Sequence, residues 1–380
     1  MRIAYIANAS IPSRSASSIH VMKMCQAFAR NGHAVTLVAV RESDGPESTM
    51  ANVHAFYGVD DVFDLERISV GRRRGGNWRY AWRAVRVVET LRPDLVYSRH
   101  LAAAVLASLR GHPTVLELHG LRVARSLEDR LAFRALRRAT ALERLVVISE
   151  GLKADLLEAV PLDVNRILVS HDGADPVGEH DRPQALRGHP GRLDVGYVGH
   201  LYPGRGIELI REMAGRLPGM EFHLVGGQPA DIARERAVRP GAANVHVHGF
   251  MPHPEAEAFR AHCDILIAPY QRTVMTLASR TDTSRWMSPL KVFEYMAAGK
   301  AIVCSDLPVL REALDHERTA LLVQPDDLAA WVEALTCLER NADLRLRLGA
   351  AARQEFERRY TWQRRAQDVL EGIPAPAEVS

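Results

Sequence analysis

Apolar positions alternate along the chain between short continuous runs and stripes at helical spacing. Residues 2–7 form a run of strand length. Val21, Met24, Cys25 and Phe28 then recur on one face of a helix, which Asn31-Gly32 stops before a second strand at 34–40. Further strands are predicted at 95–98, 114–118, 145–149 and 165–170, with helices at 101–110, around 122–138 and at 151–160. Residues 44–64 carry mixed signals and are assigned to neither class. The stretch 179–192 is polar, holds Pro183, Gly188, Pro190 and Gly191, and reads as a linker. The alternation then restarts, with strands at 193–198, 221–225, 244–248, 264–268, 301–305 and 320–323. The helices of this half fall at 207–217, 255–263, 289–298 and 309–314, and helices continue to the end. This is the pattern of an α/β protein with two doubly wound, Rossmann-like domains, at 1–178 and 179–361.

Composition narrows the class. At 380 residues the chain exceeds one ordinary core, and 47% hydrophobic with 25% charged residues is a globular balance. No apolar run approaches the ~20 residues of a membrane span. Residues 1–7 read as strand and not as a signal peptide, so the expectation is a cytoplasmic protein. A net charge of +3 gives no reason to expect nucleic acid. Cys25, Cys263, Cys304 and Cys337 lie far apart in apolar patterns, which predicts free buried thiols and no disulfide or metal set.

The stretch Ser288-Pro289-Leu290-Lys291-Val292-Phe293-Glu294-Tyr295-Met296-Ala297-Ala298-Gly299-Lys300 concentrates the candidate chemistry. Ser288 suits an N-cap, Pro289 the first helical position and Gly299 the left-handed stop. Val292, Phe293, Met296 and Ala297 form a core stripe, which leaves Lys291, Glu294, Tyr295 and Ala298 on the other face. The helix start favours an anion, most naturally a diphosphate, and Glu294 lies about 7–8 Å further along the axis, at ribose distance. The same residues also fit an ordinary capped helix with a surface ion pair.

Elsewhere, the serine-rich loop with Ser15, Ser17 and Ser18 follows the first strand, where such sheets bind ligands, and also fits a plain polar loop. His119 and His100 follow strand ends. Residues 72–83 interleave five arginines with Trp78, Tyr80 and Trp82, a pattern for an anionic membrane surface or an acidic or lipid-linked acceptor, or for a solvated helix face.

These motifs together resemble the family 4 glycosyltransferases, over nearly the whole chain and most strongly in its second half. The stretch 198–206, with Gly199, His200 and Arg205, is similar to the family loop whose cations neutralise the donor diphosphate. Residues 293–300 resemble the helix bearing the second glutamate of the E-x7-E motif, here Glu294, which holds the ribose. His119 matches the family histidine near the donor sugar, and Gly249-Phe250 a loop beside the base. The resemblance implies the GT-B fold, two Rossmann-like domains facing a central cleft, with the closing helix at about 362–373 returning to the first. It implies a retaining, metal-independent transfer from a UDP- or GDP-linked sugar to a hydroxyl acceptor, glycan or lipid-linked, with no cofactor. Arg205, Lys291 and His119 would carry catalysis. Gly199, His200, Gly249, Phe250, Ser288, Pro289, Leu290 and Glu294 would bind the donor, and Ser15, Ser17 and Ser18 the acceptor or a phosphate. A peripheral position at the inner membrane surface accompanies the basic patch.

The chain also departs from the family. Trp286 stands where the first motif glutamate belongs, with Asp282 and Thr283 as nearby substitutes, and Ala16-Ser17-Ser18 replaces a glycine pair. An epimerase of the same fold and a noncatalytic partner subunit are the alternative readings.

Overall fold

Strands that are apolar on both faces require cover on both sides, and this is how the chain is built. The computed structural model describes residues 1–41, 52–69, 76–120, 127–178, 183, 186, 191–237, 242–275 and 282–374. The contacts divide into two units, Met1–Asp172 with Trp362–Ser380, and Gly173–Thr361.

The first unit holds β1 (Arg2–Ile11), β2 (Ala34–Arg41), β3 (Asp64–Ile68), β4 (Leu95–Ser98), β5 (Thr114–Leu118), β6 (Leu142–Val147) and β7 (Ile167–Val169). They form one sheet in the order β3-β2-β1-β4-β5-β6-β7, with every pair parallel. The order reverses between β1 and β4, so the loops after these strands flank the switch point where open sheets bind ligands. Helix Ala16–Arg30, capped by Ser15, buries Val21, Met24, Cys25 and Phe28. The last helix, Trp362–Leu370, packs against it.

The second unit holds β8 (Leu193–Val198), β9 (Met220–Val225), β10 (Val245–Gly249), β11 (Ile265–Ala268), β12 (Ala301–Ser305) and β13 (Leu321–Val323), all parallel, in the order β10-β9-β8-β11-β12-β13. Its switch point lies between β8 and β11. Residues 173–178 fall in this unit, where Ala174 donates to Tyr360 O and bridges Thr361.

Several elements differ from the sequence reading. Pro289, with ψ of 112°, is itself the N-cap and the helix runs Leu290–Ala298, so Ser288 lies outside it. Residues 309–314 form successive turns after Pro308 instead of a helix, with Leu310 and Arg311 both donating to Leu307 O. Part of the unassigned stretch is one helical turn, Val53–Phe56, and residues 42–51 lie outside the described residues. Cys25, Cys263 and Cys304 are buried, whereas Cys337 is exposed, because the core stripe of its helix runs through Trp331, Leu335 and Leu338.

Helix Ala342–Arg359 crosses the end of Leu290–Ala298 backbone to backbone. Gly299 stops the shorter helix at φ 64°, and a Cβ on Gly349 would lie 2.2 Å from Gly299 O. Gly349→Ala is therefore expected to cost roughly 1–3 kcal/mol through overpacking. It should appear as a lower urea midpoint at unchanged slope.

Candidate functional site

The loop after β8 and the start of helix Leu290–Ala298 meet at the second unit's switch point. A Cβ on Gly199 would lie 2.7 Å from Lys291 Nζ, so glycine there lets the ammonium reach the loop backbone. Lys291 Nζ is buried, has no hydrogen-bond partner among the described residues, and lies 3.9 Å and 4.9 Å from the ring centres of Tyr197 and Tyr270. Arg205 lies 4.9 Å over Tyr202 and 5.3 Å over the same Tyr270; Nη2 donates to Tyr202 Oη at 2.7 Å, and Nε is buried without a partner among the described residues. Neither cation pairs with a carboxylate among the described residues. Burial, and then Arg205, push the Lys291 ammonium well below its ordinary value. Burial, with Arg205 and Lys291, lowers His200 to about 4. The arrangement brings Arg205 and Lys291 together with no counter-charge beside them among the described residues.

Glu294 lies on the second turn of the helix, half-buried, with Oε2 3.4 Å from Arg260 Nη1 and Oε1 3.8 Å from His253 Nε2. Both contacts are longer than a hydrogen bond, so the carboxylate retains accepting capacity. Tyr295, expected beside it on the open face, is instead buried, and its hydroxyl accepts from Val198 N at 2.8 Å. The tyrosine thereby ties the clamp helix to the end of β8. Gly249, at φ 87°, closes β10, and Phe250 beyond it is 49% exposed. Ser288 is buried, and Pro289 and Leu290 are partly exposed.

Trp286, at the position of the family acid, is buried. Asp282 accepts from Val274 N, Ser284 N and Ser284 Oγ, and Thr283 Oγ1 donates to Val274 O, so both close a turn.

In the first unit, Ser15 and Ser17 are exposed and bonded to one another at 3.0 Å. Ser18 is buried and donates to Ser10 O, which commits it to the fold of the loop. His100 is an N-cap whose Nδ1 accepts from Ala103 N. His119 Nε2 is hydrogen-bonded to Glu117 Oε1, and the ring crosses His20 edge-on at 4.6 Å. Glu117 also receives Tyr97 Oη, and Arg365 Nη1 and Nη2 at 3.3 and 3.2 Å. Burial alone would raise the Glu117 carboxyl, but Arg365, with His20 and His119, holds it well below the usual carboxylate range. His20, Glu117 and His119 place one donor atom each within 4.8 Å of one another, a metal-like spacing. Arg365 occupies the place of the counter-charge, and Arg99 Nε is 3.9 Å from the same oxygen.

Of the basic patch, 72–75 lie outside the described residues. Helix Gly76–Leu91 exposes Arg79, Arg83 and Arg86, and Trp82 is 50% exposed with Arg86 5.4 Å from its ring, while Tyr80 is buried. Among the described residues no helix is long and apolar enough to cross a membrane.

Sequence reasoning missed Arg260, Tyr197, Tyr270 and the Glu117–Arg365 pair. A signal existed for Arg365, a charge at core spacing in the stripe Trp362, Arg365, Ala366, Val369.

Comparison with known proteins bears on both units. Residues 17–177 match the family described as Glycosyltransferase Family 4, and residues 192–341 that described as Glycosyl transferases group 1. The chain is 27% identical over 293 residues to a D-inositol 3-phosphate glycosyltransferase of Corynebacterium efficiens, covering 71% of this chain and 63% of the relative. The match to the same enzyme of Stackebrandtia nassauensis, 25% identical over 57% of this chain, covers half of that protein, so the chain spans about half to two thirds of these two curated relatives. Among solved structures, sucrose-phosphate synthase from Thermosynechococcus elongatus superposes with a TM-score of 0.73 at 17% identity, over 97% of this chain and 96% of that one. HepE of Anabaena, in complex with UDP, gives 0.71 at 16% identity, over 98% and 99%. With both sheets parallel and doubly wound, and with family matches in each, the chain belongs to the family 4 glycosyltransferases and has the GT-B fold.

Proposed function

We propose that the protein transfers a sugar from a nucleoside-diphosphate sugar to a hydroxyl acceptor, with retention and without a metal or cofactor. The observation that carries this reading is the pair of cations, Arg205 and Lys291, whose buried Nε and Nζ have no hydrogen-bond partner among the described residues. A diphosphate supplies the missing charge and acceptors. Glu294 takes the ribose hydroxyls, and Phe250 flanks the base. The bond from the anomeric carbon to the diphosphate oxygen breaks while Arg205 and Lys291 stabilise the growing negative charge. The acceptor oxygen bonds on the same face, and its proton passes to the departing phosphate oxygen. That route needs no protein base and no acid at position 286. His119 serves the sugar, and Ser15 and Ser17 the acceptor. HepE is known in complex with UDP and with UDP-glucose, which makes uridine the first base to test.

Arg205→Ala and Glu294→Gln should each weaken UDP binding by roughly 1–3 kcal/mol, the scale of a hydrogen bond to a charged group. Titration calorimetry on the folded variants measures it. Unchanged affinity would remove that residue from the site.

The pH dependence follows from His200. Free, it is held down to about 4; a bound diphosphate raises it, so binding takes up a proton between the two values. UDP affinity should therefore rise as pH falls through the raised value. Calorimetry in buffers of different ionisation heat reads the uptake. His200→Asn should abolish its acid-side part and leave any uptake by Lys291.

We also propose that the first unit docks on anionic lipid to reach a lipid-linked acceptor. Helices Gly76–Leu91 and Leu127–Arg138 both pack on Leu101–Leu109; the first exposes Trp82 among its arginines and the second exposes Leu127 and Leu131. Each cation near such a surface contributes about 1 kcal/mol, screened by salt. Flotation with phosphatidylserine vesicles should show binding at low salt that is lost at high salt. Equal partition to neutral vesicles would count against it.

A further inference from the structure

We propose that Glu117 fixes His119 as the Nε2-protonated tautomer, so that His119 meets a sugar hydroxyl as a hydrogen-bond acceptor through Nδ1, with Arg365 as the positioning residue that maintains this. The role at the sugar rests on the function proposed above; the tautomer does not. An ionised carboxylate only accepts, so Nε2, bonded to Glu117 Oε1, must carry the hydrogen, and a neutral ring then has its lone pair at Nδ1. Among the described residues no hydrogen bond reaches Nδ1, and the side chain is 22% exposed. A protonated Glu117 would reverse the bond by donating to Nε2.

Arg365 prevents that. Its guanidinium is buried, reaches both oxygens of Glu117, and is aimed by Nε to His171 O at 2.8 Å and by Nη2 to Ser170 O at 3.2 Å. The remaining groups around His119 agree with a neutral ring. Arg99 lies 3.9 Å from Glu117 Oε1, Tyr97 donates to Oε2, and His20 lies 2.9 Å from both Glu117 Oε1 and Asp172 Oδ1. Burial, then Arg99, lower His119 to about 4 against the pull of Glu117.

The test is nitrogen NMR of histidine-labelled protein, with His119 assigned through His119→Asn. The parent at pH 7 should show a protonated Nε2 and a bare Nδ1, unchanged down to about pH 5. Folded Arg365→Gln should lose the single-tautomer pattern, and turnover with UDP-glucose should fall roughly tenfold to a hundredfold, the scale of a misplaced group, with KM little changed. Arg365→Lys should restore part of both. A parent spectrum with Nδ1 protonated, an imidazolium at pH 7, or an unaltered His119 pattern in Arg365→Gln would overturn the proposal. So would one equivalent of bound zinc, which would take the Nε2 lone pair. The expected spectrum with no transfer from any nucleotide sugar would support the tautomer and count against the functional reading instead.

Discussion

Arg205 and Lys291 repel each other, and the second unit is built to hold them together regardless. Three tyrosine rings make this tolerable: Tyr270 lies beneath both cations, Tyr197 beneath the lysine and Tyr202 beneath the arginine. A ring face offers negative potential without a formal charge, worth about 0.5–2 kcal/mol per contact. A carboxylate would hold the cations more strongly and would also cancel their charge. The rest of the site follows from that constraint. Gly199 leaves room for the ammonium, and Tyr295 joins the two segments that carry the cations.

The architecture was legible because parallel strands buried on both faces are short continuous apolar runs between turn signals, as at 2–7 and 301–305. Glu294 and Gly299 were legible because helix geometry is local. The start of that helix was not. Ser288 and Pro289 both suit its first positions, and which residue caps it depends on how the preceding turn closes, through Asp282 and Thr283. Position 309–314 failed for a related reason: Val309 to Leu314 has helical composition but too few residues to continue a helix once the turn at Leu307 has been made.

Partnerships across long sequence separation were the least legible. Nothing near Glu117 in the chain announces Arg365, and nothing near Glu294 announces Arg260. Tyr295 was misplaced because its position lies at the edge of the apolar stripe, where tertiary contact decides whether a tyrosine faces solvent or a neighbouring strand. Burial of a charged group reflects the whole fold, and no window of sequence contains it.

The route of the chain has a consequence for its biogenesis. The first unit is synthesised first but closed last, because Trp362–Leu370 returns to it only after the whole second unit has left the ribosome. Until then Glu117 lacks the guanidinium that meets both its oxygens in the complete fold. A chain cut short before Trp362 would thus injure the unit that precedes the second one. The early unit is expected to wait on the late one, a dependence that domain-by-domain folding would otherwise avoid.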